Sequence, residues 1–380
     1  MDLKEAIESL HVKDYSQALA LFRDAAESNN ADACDFIVQM YLMNLEPSIT
    51  ADDYLQYSIK GYEYRSKDGC FNLGTIYRNG VLGVPDFPKA YEFFFEGANE
   101  NQDARCQYFL AEMLKNGEVG KIDVDEAVKY YGIAASHGYY PAQFMLAKIF
   151  ENVVENFQTT LEFYENAVRN NHVDAMLRLA YIYEKGIRVT KDYSKAVEYY
   201  TMAGENGSAE AKLKLAKIGI ESQNDKTAVK TNTRHAVKLL KELVEDSKTG
   251  DLVKRDALYY LGQLYERNGS DAPKAYECFY QSSNLGSLPS MYKYACYLFD
   301  GRGCSANKVE AFALLHIVRF IASSNVDPSV KSLDLISPDQ LVELSERRLV
   351  DFEELLSEEE RSEALKMADN RLGQIFNVGN

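Results

Sequence analysis

The stretch YSKAVEYYTMAGENGSAEAKLKLAKIG, residues 193–219, repeats a pattern already present in VDEAVKYYGIAASHGYYPAQFMLAKIF, residues 124–150. In both, an apolar segment with paired tyrosines is followed by a polar turn and then by a second apolar segment. The apolar residues recur three and four positions apart, which is the period of an amphipathic helix and not of a strand. The pattern therefore predicts a helical hairpin that the chain uses more than once.

The same hairpin pattern runs through most of the 380-residue chain. Ala196 of KAVEYY has counterparts spaced 33 to 40 residues apart, at Ala18, Asp53, Ala90, Ala127, Thr160, Ala236, Ala275 and Ala311. A period of this length is the signature of a solenoid, in which stacked hairpins bury a core that none of them could bury alone. We therefore expect an all-α fold, a right-handed α–α superhelix.

Small residues mark where the paired helices should approach each other. They stand in the middle of the second apolar segment, at Gly74, Ala111, Ala147, Ala180, Ala216, Gly262 and Ala295. A small side chain lets two helix backbones come close, and neighbouring Tyr, Phe and Leu side chains fill the remaining grooves.

The hairpin pattern resembles the Sel1-like repeat, a relative of the tetratricopeptide repeat. Its signature is A-x-x-x-L-G-x-x-Y in one helix and K-A-x-x-Y-Y-x-x-A in the next. DAMLRLAYIYEKGIRVTKDYSKAVEYYTMA, residues 174–203, follows it nearly throughout, and residues 70–98 and 292–315 follow it well. The resemblance covers about residues 10 to 323 and implies a solenoid of about eight or nine hairpins.

The repeat pattern is interrupted and then ends. It breaks at 220–235, is stretched by a lengthened turn at 246–256, and fades after residue 323. Ser337 with Gln340, and Ser357 with Glu360, then have the spacing of capping boxes that begin two helices, the second of which we expect to end at Gly373. We predict a repeat domain over 1–323, and a linker with C-terminal capping helices over 324–380.

Charge and hydropathy exclude some classes of partner. The net charge of −16 disfavours nucleic acid, because the phosphate backbone would be repelled, and it favours solubility or a basic protein partner. No apolar run reaches the length of a membrane span, and the first residues lack a signal-peptide pattern. We expect a cytoplasmic protein with no membrane partner, specialised secretion being the alternative. The oligomeric state is left open.

The chain contains no convincing set of catalytic or metal-binding residues. Its six cysteines form no C-x-x-C motif, its five histidines are dispersed, and reduced thiols are the simplest interpretation. GRGCSA, residues 301–306, fits a dinucleotide fingerprint but follows a helical segment, so it is interpreted as a turn. We therefore expect no cofactor, no metal and no catalytic residue.

One enzymatic alternative comes with the family resemblance. Some secreted, cysteine-rich Sel1-like proteins are described as β-lactamases, and SMYK, Ser290–Lys293, fits the S-x-x-K motif of penicillin-recognising enzymes. However, the KTG triplet precedes SMYK instead of following it, and the paired cysteines of those proteins are missing. A hydrolase of this type remains the alternative to a non-enzymatic protein.

The resemblance also implies a binding surface, because the helix carrying L-G-x-x-Y faces the concave groove in such solenoids. Two rows of residues would point inward. The first row is Phe71, Tyr108, Phe144, Leu177, Leu213, Tyr259 and Tyr292. The second row is Thr75, Glu112, Lys148, Tyr181, Lys217, Gln263 and Cys296.

These rows allow more than one interpretation. Rigid aromatic side chains in a groove can anchor a peptide or a helix, which predicts an adaptor or scaffold that binds another protein. The alternative is that the aromatic row only packs between repeats. A secreted bacterial effector or regulator is a further alternative for the function.

Charge is unevenly distributed along the chain. Residues 212–241 are rich in lysine, including Lys226 and Lys230, whereas residues 339–363 are strongly acidic. The basic stretch could be a solvated face, could attract the acidic segment, or could dock an acidic partner, and charge asymmetry alone does not separate these.

Overall fold

The computed structural model describes residues 3–81, 83–151, 157–221, 233–267, 271–324 and 336–377. Within these ranges every regular element is helical, and no strand occurs. The helices are α1 (Lys4–His11), α2 (Tyr15–Glu27), α3 (Ala31–Leu42), α4 (Ala51–Glu63), α5 (Gly69–Asn79), α6 (Phe87–Asn99), α7 (Ala104–Asn116), α8 (Val124–Ser136), α9 (Tyr140–Phe150), α10 (Phe157–Arg169), α11 (Val173–Lys185), α12 (Tyr193–Glu205), α13 (Ala209–Glu221), α14 (Thr233–Glu245), α15 (Asp251–Arg267), α16 (Ala272–Asn284), α17 (Leu288–Asp300), α18 (Lys308–Ser323), α19 (Pro338–Glu353) and α20 (Glu358–Asn377).

The chain divides into two compact units, residues 1–175 and 176–380, with the boundary inside α11. Within the first unit, each helix from α1 to α10 packs on the helices before and after it. Within the second unit, α12 to α18 do the same, α19 packs on α17 and α18, and α20 packs on α18. Stacked helical hairpins that end in capping helices are therefore confirmed.

The helices that carry the K-A-x-x-Y-Y pattern begin in a uniform way. An Asp, Thr or Asn precedes each described start, and its side chain accepts a hydrogen bond from the N–H three residues on. These N-cap residues are Asp14, Thr50, Asp86, Asp123, Asp192, Asp271 and Asn307. Such caps satisfy one of the N–H groups that a helix start leaves without an intrahelical partner.

The N-caps correct one position of the sequence alignment. In α4 the capping box joins Thr50 to Asp53, so Asp53 lies in the first turn. The buried position that alanine occupies in most other hairpins is filled by Tyr54, which is 2% exposed and stacks on Tyr41 with ring centroids 4.9 Å apart. The alignment was wrong by one residue here because a large aromatic replaces the expected small residue.

Glycine closes several of the helices, whereas two helix boundaries differ from the sequence prediction. Gly80, Gly117 and Gly186 follow α5, α7 and α11 with φ of 62°, 68° and 72°, the left-handed conformation that glycine adopts readily. The turn expected at 246–256 is shorter, because α15 begins at Asp251, and α20 continues past Gly373. The break at 220–235 lies largely outside the described residues.

The paired helices meet where a small residue faces a large ring. In α5, a Cβ placed on Gly74 would lie 2.5 Å from Cε1 of Phe94 in α6. The same relation holds in the second unit, where a Cβ on Gly262 would lie 2.6 Å from Cε1 of Phe279. Glycine at these positions is therefore required by the close approach of the phenylalanine ring.

Hairpins with a tyrosine at the ring position use alanine in place of glycine. Ala111 and Tyr131 belong to one core cluster, and the Tyr131 hydroxyl donates to the Glu112 carboxylate. Tyr200 donates to Glu184 in the same manner, at 2.7 Å. A buried hydroxyl needs an acceptor, so these rings are held in place by a hydrogen bond as well as by packing.

Ion pairs connect successive hairpins of the first unit. The guanidinium of Arg105, at the start of α7, donates to Asp68 before α5 and to Asp103, each at 2.6 Å. Asp35 of α3 lies beyond Asp68, and burial, followed by the charge of Asp68, raises the pKa of Asp35 to about 6. Asp35 is thus a half-buried carboxylate, and the charges that shift its pKa are those of other carboxylates.

The C-terminal helices begin at both predicted capping boxes. Ser337 and Gln340 exchange hydrogen bonds at the start of α19, and Ser357 and Glu360 do so before α20. Phe352 of α19 stacks on Phe299 of α17 with ring centroids 3.4 Å apart. The apolar end of the last hairpin is therefore covered, as a solenoid end requires.

We expect Gly74→Ala to lower the free energy of unfolding by about 1–3 kcal/mol, because the new methyl group overlaps the Phe94 ring. Alanine is the better helix former by about 1 kcal/mol, so a destabilising result isolates the steric term. Urea denaturation measures the change. The matched variant Ala111→Gly should cost only about 1 kcal/mol, and a neutral or stabilising Gly74→Ala would show that the contact has no energetic importance.

We also expect Asp35→Asn to change how stability depends on pH. The raised pKa means that the folded chain binds the proton more tightly than the unfolded chain, so the contribution of Asp35 to stability falls as pH rises from about 4 to about 6. The variant should therefore gain about 1–2 kcal/mol over the wild type above pH 6 and lose that advantage towards pH 4. Asp125→Asn, an exposed carboxylate on α8 outside this cluster, controls for the change in net charge. A constant difference between Asp35→Asn and wild type across this range would contradict the prediction.

Candidate protein-binding surface

In the first unit, the predicted aromatic row forms part of a larger array of rings. Phe71 of α5 lies 5.6 Å from Phe109 of α7, and Tyr108 lies 5.4 Å from both Phe109 and Tyr139, measured between ring centroids. Phe71, Tyr108 and Phe144 are all half-buried. One side of each ring therefore packs within the unit while part of it faces solvent.

The array continues to α9 through residues that the sequence did not predict. Tyr140, which is 39% exposed, lies 5.7 Å from the ring of His172, and Phe144 stacks on the same ring at 4.4 Å. Tyr139 is the N-cap residue of α9 and Tyr140 is the first residue of that helix, so neither belongs to the positions used to choose the rows. The two adjacent tyrosines in HGYYPAQ, residues 137–143, are the sequence feature that could have identified them.

Cationic side chains lie over several of these rings. Arg105 lies 4.5 Å from the centroid of Phe71, and Arg78 lies 5.3 Å from that of Phe109. Arg78 also forms a two-point ion pair with Glu118, at 2.8 and 2.7 Å. These contacts fix the rings, and carboxylates neutralise both arginines, since Arg105 pairs with Asp68 and Asp103. The sequence rows did not include either arginine.

Members of the second row in the first unit differ in whether their polar groups already have partners within the chain. The Thr75 hydroxyl donates to the backbone carbonyl of Phe71 at 2.8 Å, so it is satisfied within α5. Glu112 accepts from Lys115 at 2.7 Å and from Tyr131. Lys148 is exposed, lies 5.7 Å from the ring centroid of Phe144, and has no carboxylate within 4.0 Å among the described residues.

The rows are more deeply packed in parts of the second unit. Tyr259 is 2% exposed, its ring lies 6.1 Å from that of Phe279, and its hydroxyl accepts a hydrogen bond from Gln263 at 2.9 Å. Tyr292 is half-buried, and burial raises its pKa to about 12. Tyr259 therefore contributes mainly to the core, as the packing interpretation of the row expects.

Two further members of the second row lie nearer the surface. Tyr181 of α11 is 38% exposed, and the Arg178 guanidinium lies 5.2 Å from its ring centroid. Lys217 of α13 is half-buried, and Leu177 and Leu213 of the first row are half-buried as well. Exposed aromatic surface with an adjacent cation is thus present in this unit too.

The S-x-x-K motif is structural. Ser290 is 0% exposed, and its hydroxyl lies 2.7 Å from that of Ser282, inside the core. Lys293 donates to Glu266 at 2.8 Å and so is bound elsewhere. A buried serine without a neighbouring base cannot attack a substrate, because neither access nor proton removal is provided.

Two of the cysteine thiols are held in the protonated form. Burial raises the pKa of the Cys34 thiol to about 11 and that of Cys70 to about 12, so both are protonated and poorly nucleophilic.

The GRGCSA segment is the turn after α17, with φ of 67° at Gly301 and 75° at Gly303. In the described part of the chain, no group of three or more His, Cys, Asp and Glu is placed to hold a metal ion, and no helix is long and apolar enough to cross a membrane.

The structure accounts for part of the basic stretch. Lys212 and Lys238 both lie 3.8 Å from carboxylate oxygens of Glu242. Lys226 and Lys230 lie outside the described residues. These two lysines therefore pair with Glu242 of α14.

The chain is similar to proteins with related repeats. It is 32% identical over 125 residues to the Sel1-repeat-containing protein YjcO of Escherichia coli K12, covering 31% of this chain and 52% of that protein. It is 28% identical over 153 residues to an exopolysaccharide production negative regulator of Rhizobium meliloti, covering 36% of this chain and 55% of that protein. The chain thus spans about half the length of these relatives.

Solved structures with the same fold include two bacterial repeat proteins. The protective antigen c5321 of uropathogenic Escherichia coli, which displays an SLR fold, has a TM-score of 0.54 at 18% identity, covering 94% of this chain and 79% of that one. A Sel1 repeat protein from Oxalobacter formigenes has a TM-score of 0.52 at 18% identity, covering 80% and 86%. At this identity the likeness shows the fold alone.

The family profile described as Sel1 repeat matches the hairpins directly. The matched residues are 11–30, 67–101, 104–139, 173–208, 255–287 and 288–317, which together make up half of the chain. These matches, and the stacked hairpins within each unit, show that the chain belongs to the Sel1 repeat family.

Proposed function

We propose that this protein is a non-enzymatic adaptor that binds another protein through the surface formed by α5, α7 and α9. The observation that carries the proposal is the partly exposed ring array of Phe71, Tyr108, Tyr140 and Phe144, accompanied by cationic side chains. Tyr and Arg dominate the binding energy of many protein interfaces, because they bury large areas at a small entropic cost. An extended row of such side chains suits a peptide or a helix lying along the surface.

The names of two relatives fit a regulatory role that is exerted through binding. One is the Rhizobium exopolysaccharide production negative regulator, and another is chitin synthase regulatory factor 4 of Schizosaccharomyces pombe, 27% identical over 111 residues and matched over 29% of this chain and 17% of that protein. The burial of Ser290 and the raised pKa values of the thiols support a function without catalysis.

The nature of the partner follows from charge. The net charge of −16 favours a basic protein partner and opposes binding to nucleic acid. We place the protein in the cytoplasm, with specialised secretion as an effector being the alternative.

The test uses side chains that the fold does not need. In Tyr140→Ala, we expect partner recovery from a lysate of the source organism to fall by about tenfold or more, because an anchor ring is removed. The melting temperature should change little, since Tyr140 is 39% exposed. Quantitative mass spectrometry of the recovered proteins provides the measurement.

A matched control lies on the neighbouring helix α8. Ile133 is 43% exposed, so Ile133→Ala also removes exposed apolar surface, but away from the ring array. This control should recover the same partner as the wild type. Equal recovery by all three proteins would refute binding through α5, α7 and α9.

A further inference from the structure

The ring array of the proposed binding surface is continuous within the first unit. The ring centroids of Phe71 and Phe109 lie 5.6 Å apart, and the Tyr108 ring lies 5.4 Å from those of both Phe109 and Tyr139. Tyr139 in turn stacks on Tyr140 at 6.2 Å. Each of these five rings is half-buried or exposed. A bound chain therefore passes from one ring to the next without leaving aromatic surface.

Three carboxylates beside the array are already engaged by other side chains. Glu118 accepts two hydrogen bonds from the guanidinium of Arg78, at 2.8 and 2.7 Å. Asp103 accepts from the guanidinium of Arg105 at 2.6 Å. Glu112 accepts from a lysine and from a tyrosine hydroxyl. These carboxylates therefore have little remaining attraction for a basic or donor-rich ligand.

The same surface presents hydrogen-bond donors. Tyr108, Tyr139 and Tyr140 each contribute a hydroxyl group to the array. The exposed ammonium group of Lys148 lies 5.7 Å from the ring centroid of Phe144. A tyrosine hydroxyl donates one hydrogen bond and an ammonium group donates three. The array therefore favours a ligand with apolar side chains whose polar groups accept hydrogen bonds.

An extended proline-rich chain has these properties. It adopts the polyproline II helix, whose carbonyl groups make no internal hydrogen bonds, and proline has no N–H group that would need an acceptor. The chain advances about 3.1 Å per residue, so two residues cover about 6 Å. Neighbouring rings of the array lie 5.4 to 6.2 Å apart, so two residues of such a chain match the distance from one ring to the next.

A partner helix matches the array less well. Its carbonyl groups are satisfied within the helix, so its apolar face offers no acceptors to the tyrosine hydroxyls. A hydroxyl that is buried without a hydrogen bond opposes binding, because it loses its contact with water and gains nothing in return. An amphipathic helix is therefore the competing occupant that an experiment must distinguish.

We propose that the ring array binds an extended, proline-rich segment of the partner protein. This inference rests on the proposed function and specifies the chemistry of the partner. Prolines pack on the ring faces, and the carbonyl groups of the segment accept hydrogen bonds from the tyrosine hydroxyls and from Lys148. The four gaps from Phe71 to Tyr140 correspond to about eight residues of the segment. The net charge of −16 favours basic residues on either side of it.

The probe is a labelled peptide of ten prolines, titrated with the 380-residue chain and followed by fluorescence anisotropy. We expect saturable binding, and binding at least about tenfold weaker for a peptide of four prolines, because four residues span only two of the gaps between rings. A net-neutral amphipathic helical peptide of Ala, Leu, Glu and Lys should bind more weakly than ten prolines. Tighter binding of the helical peptide, or no binding of ten prolines, would overturn the proposal.

Two substitutions of one ring separate its packing from its hydrogen bond. Tyr140→Ala should weaken binding of the ten-proline peptide by about tenfold or more, because the ring is lost. Tyr140→Phe keeps the ring and should weaken binding by about fivefold, which corresponds to one hydrogen bond. Ile133→Ala, an exposed position on α8, should bind like the wild type. Equal binding by Tyr140→Ala and the wild type would show that the prolines do not lie on the array.

The result can be separated from the test of the proposed function. If Tyr140→Ala loses the partner from the lysate while the wild type does not bind ten prolines, the surface is correct and the proline-rich segment is wrong. If Tyr140→Ala recovers the partner like the wild type, both the surface and the segment are wrong.

Discussion

The structure depends on the close contact between a small residue in one helix and a large side chain in the next. Gly74 against Phe94 and Gly262 against Phe279 are the tightest examples, since no methyl group could be added to either glycine without moving the ring. Where the ring belongs to Tyr131, alanine is tolerated and a glutamate accepts the hydroxyl. The ring that a hairpin uses therefore depends on the small residue opposite it. A phenylalanine ring faces glycine, and the Tyr131 ring faces alanine and adds a hydrogen bond to a glutamate.

This linkage explains why the candidate binding surface is made of half-buried rings. The ring that fills the space beside a small residue is extended by rings from neighbouring helices, as Tyr131 is by Tyr108 and Tyr108 is by Tyr139. Tyr131 itself is buried, whereas Tyr108 is half-buried. Members of the aromatic row therefore differ in burial. Tyr259 is almost wholly buried, whereas Phe71 and Phe144 are half-buried.

The end of the chain shows what happens when the repeat stops. The last hairpin would leave an apolar side of α17 and α18 in water, and α19 covers it with Phe352 and Leu349. The last helix, α20, then packs on α18, where Ala364 and Ala368 are buried and Arg371 pairs with Glu310.

The sequence by itself determined the helical hairpins, their period and both C-terminal capping boxes, because these depend on side chains a few positions apart. It placed Asp53 one residue early and ended α20 at Gly373, because a buried tyrosine and a helical glycine break the local pattern without breaking the helix. Only the tertiary structure decided which aromatic rings are exposed, that Arg105 covers Phe71, and that Ser290 is buried. Those properties depend on neighbours from other hairpins, some thirty residues away, whose distance no local spacing encodes.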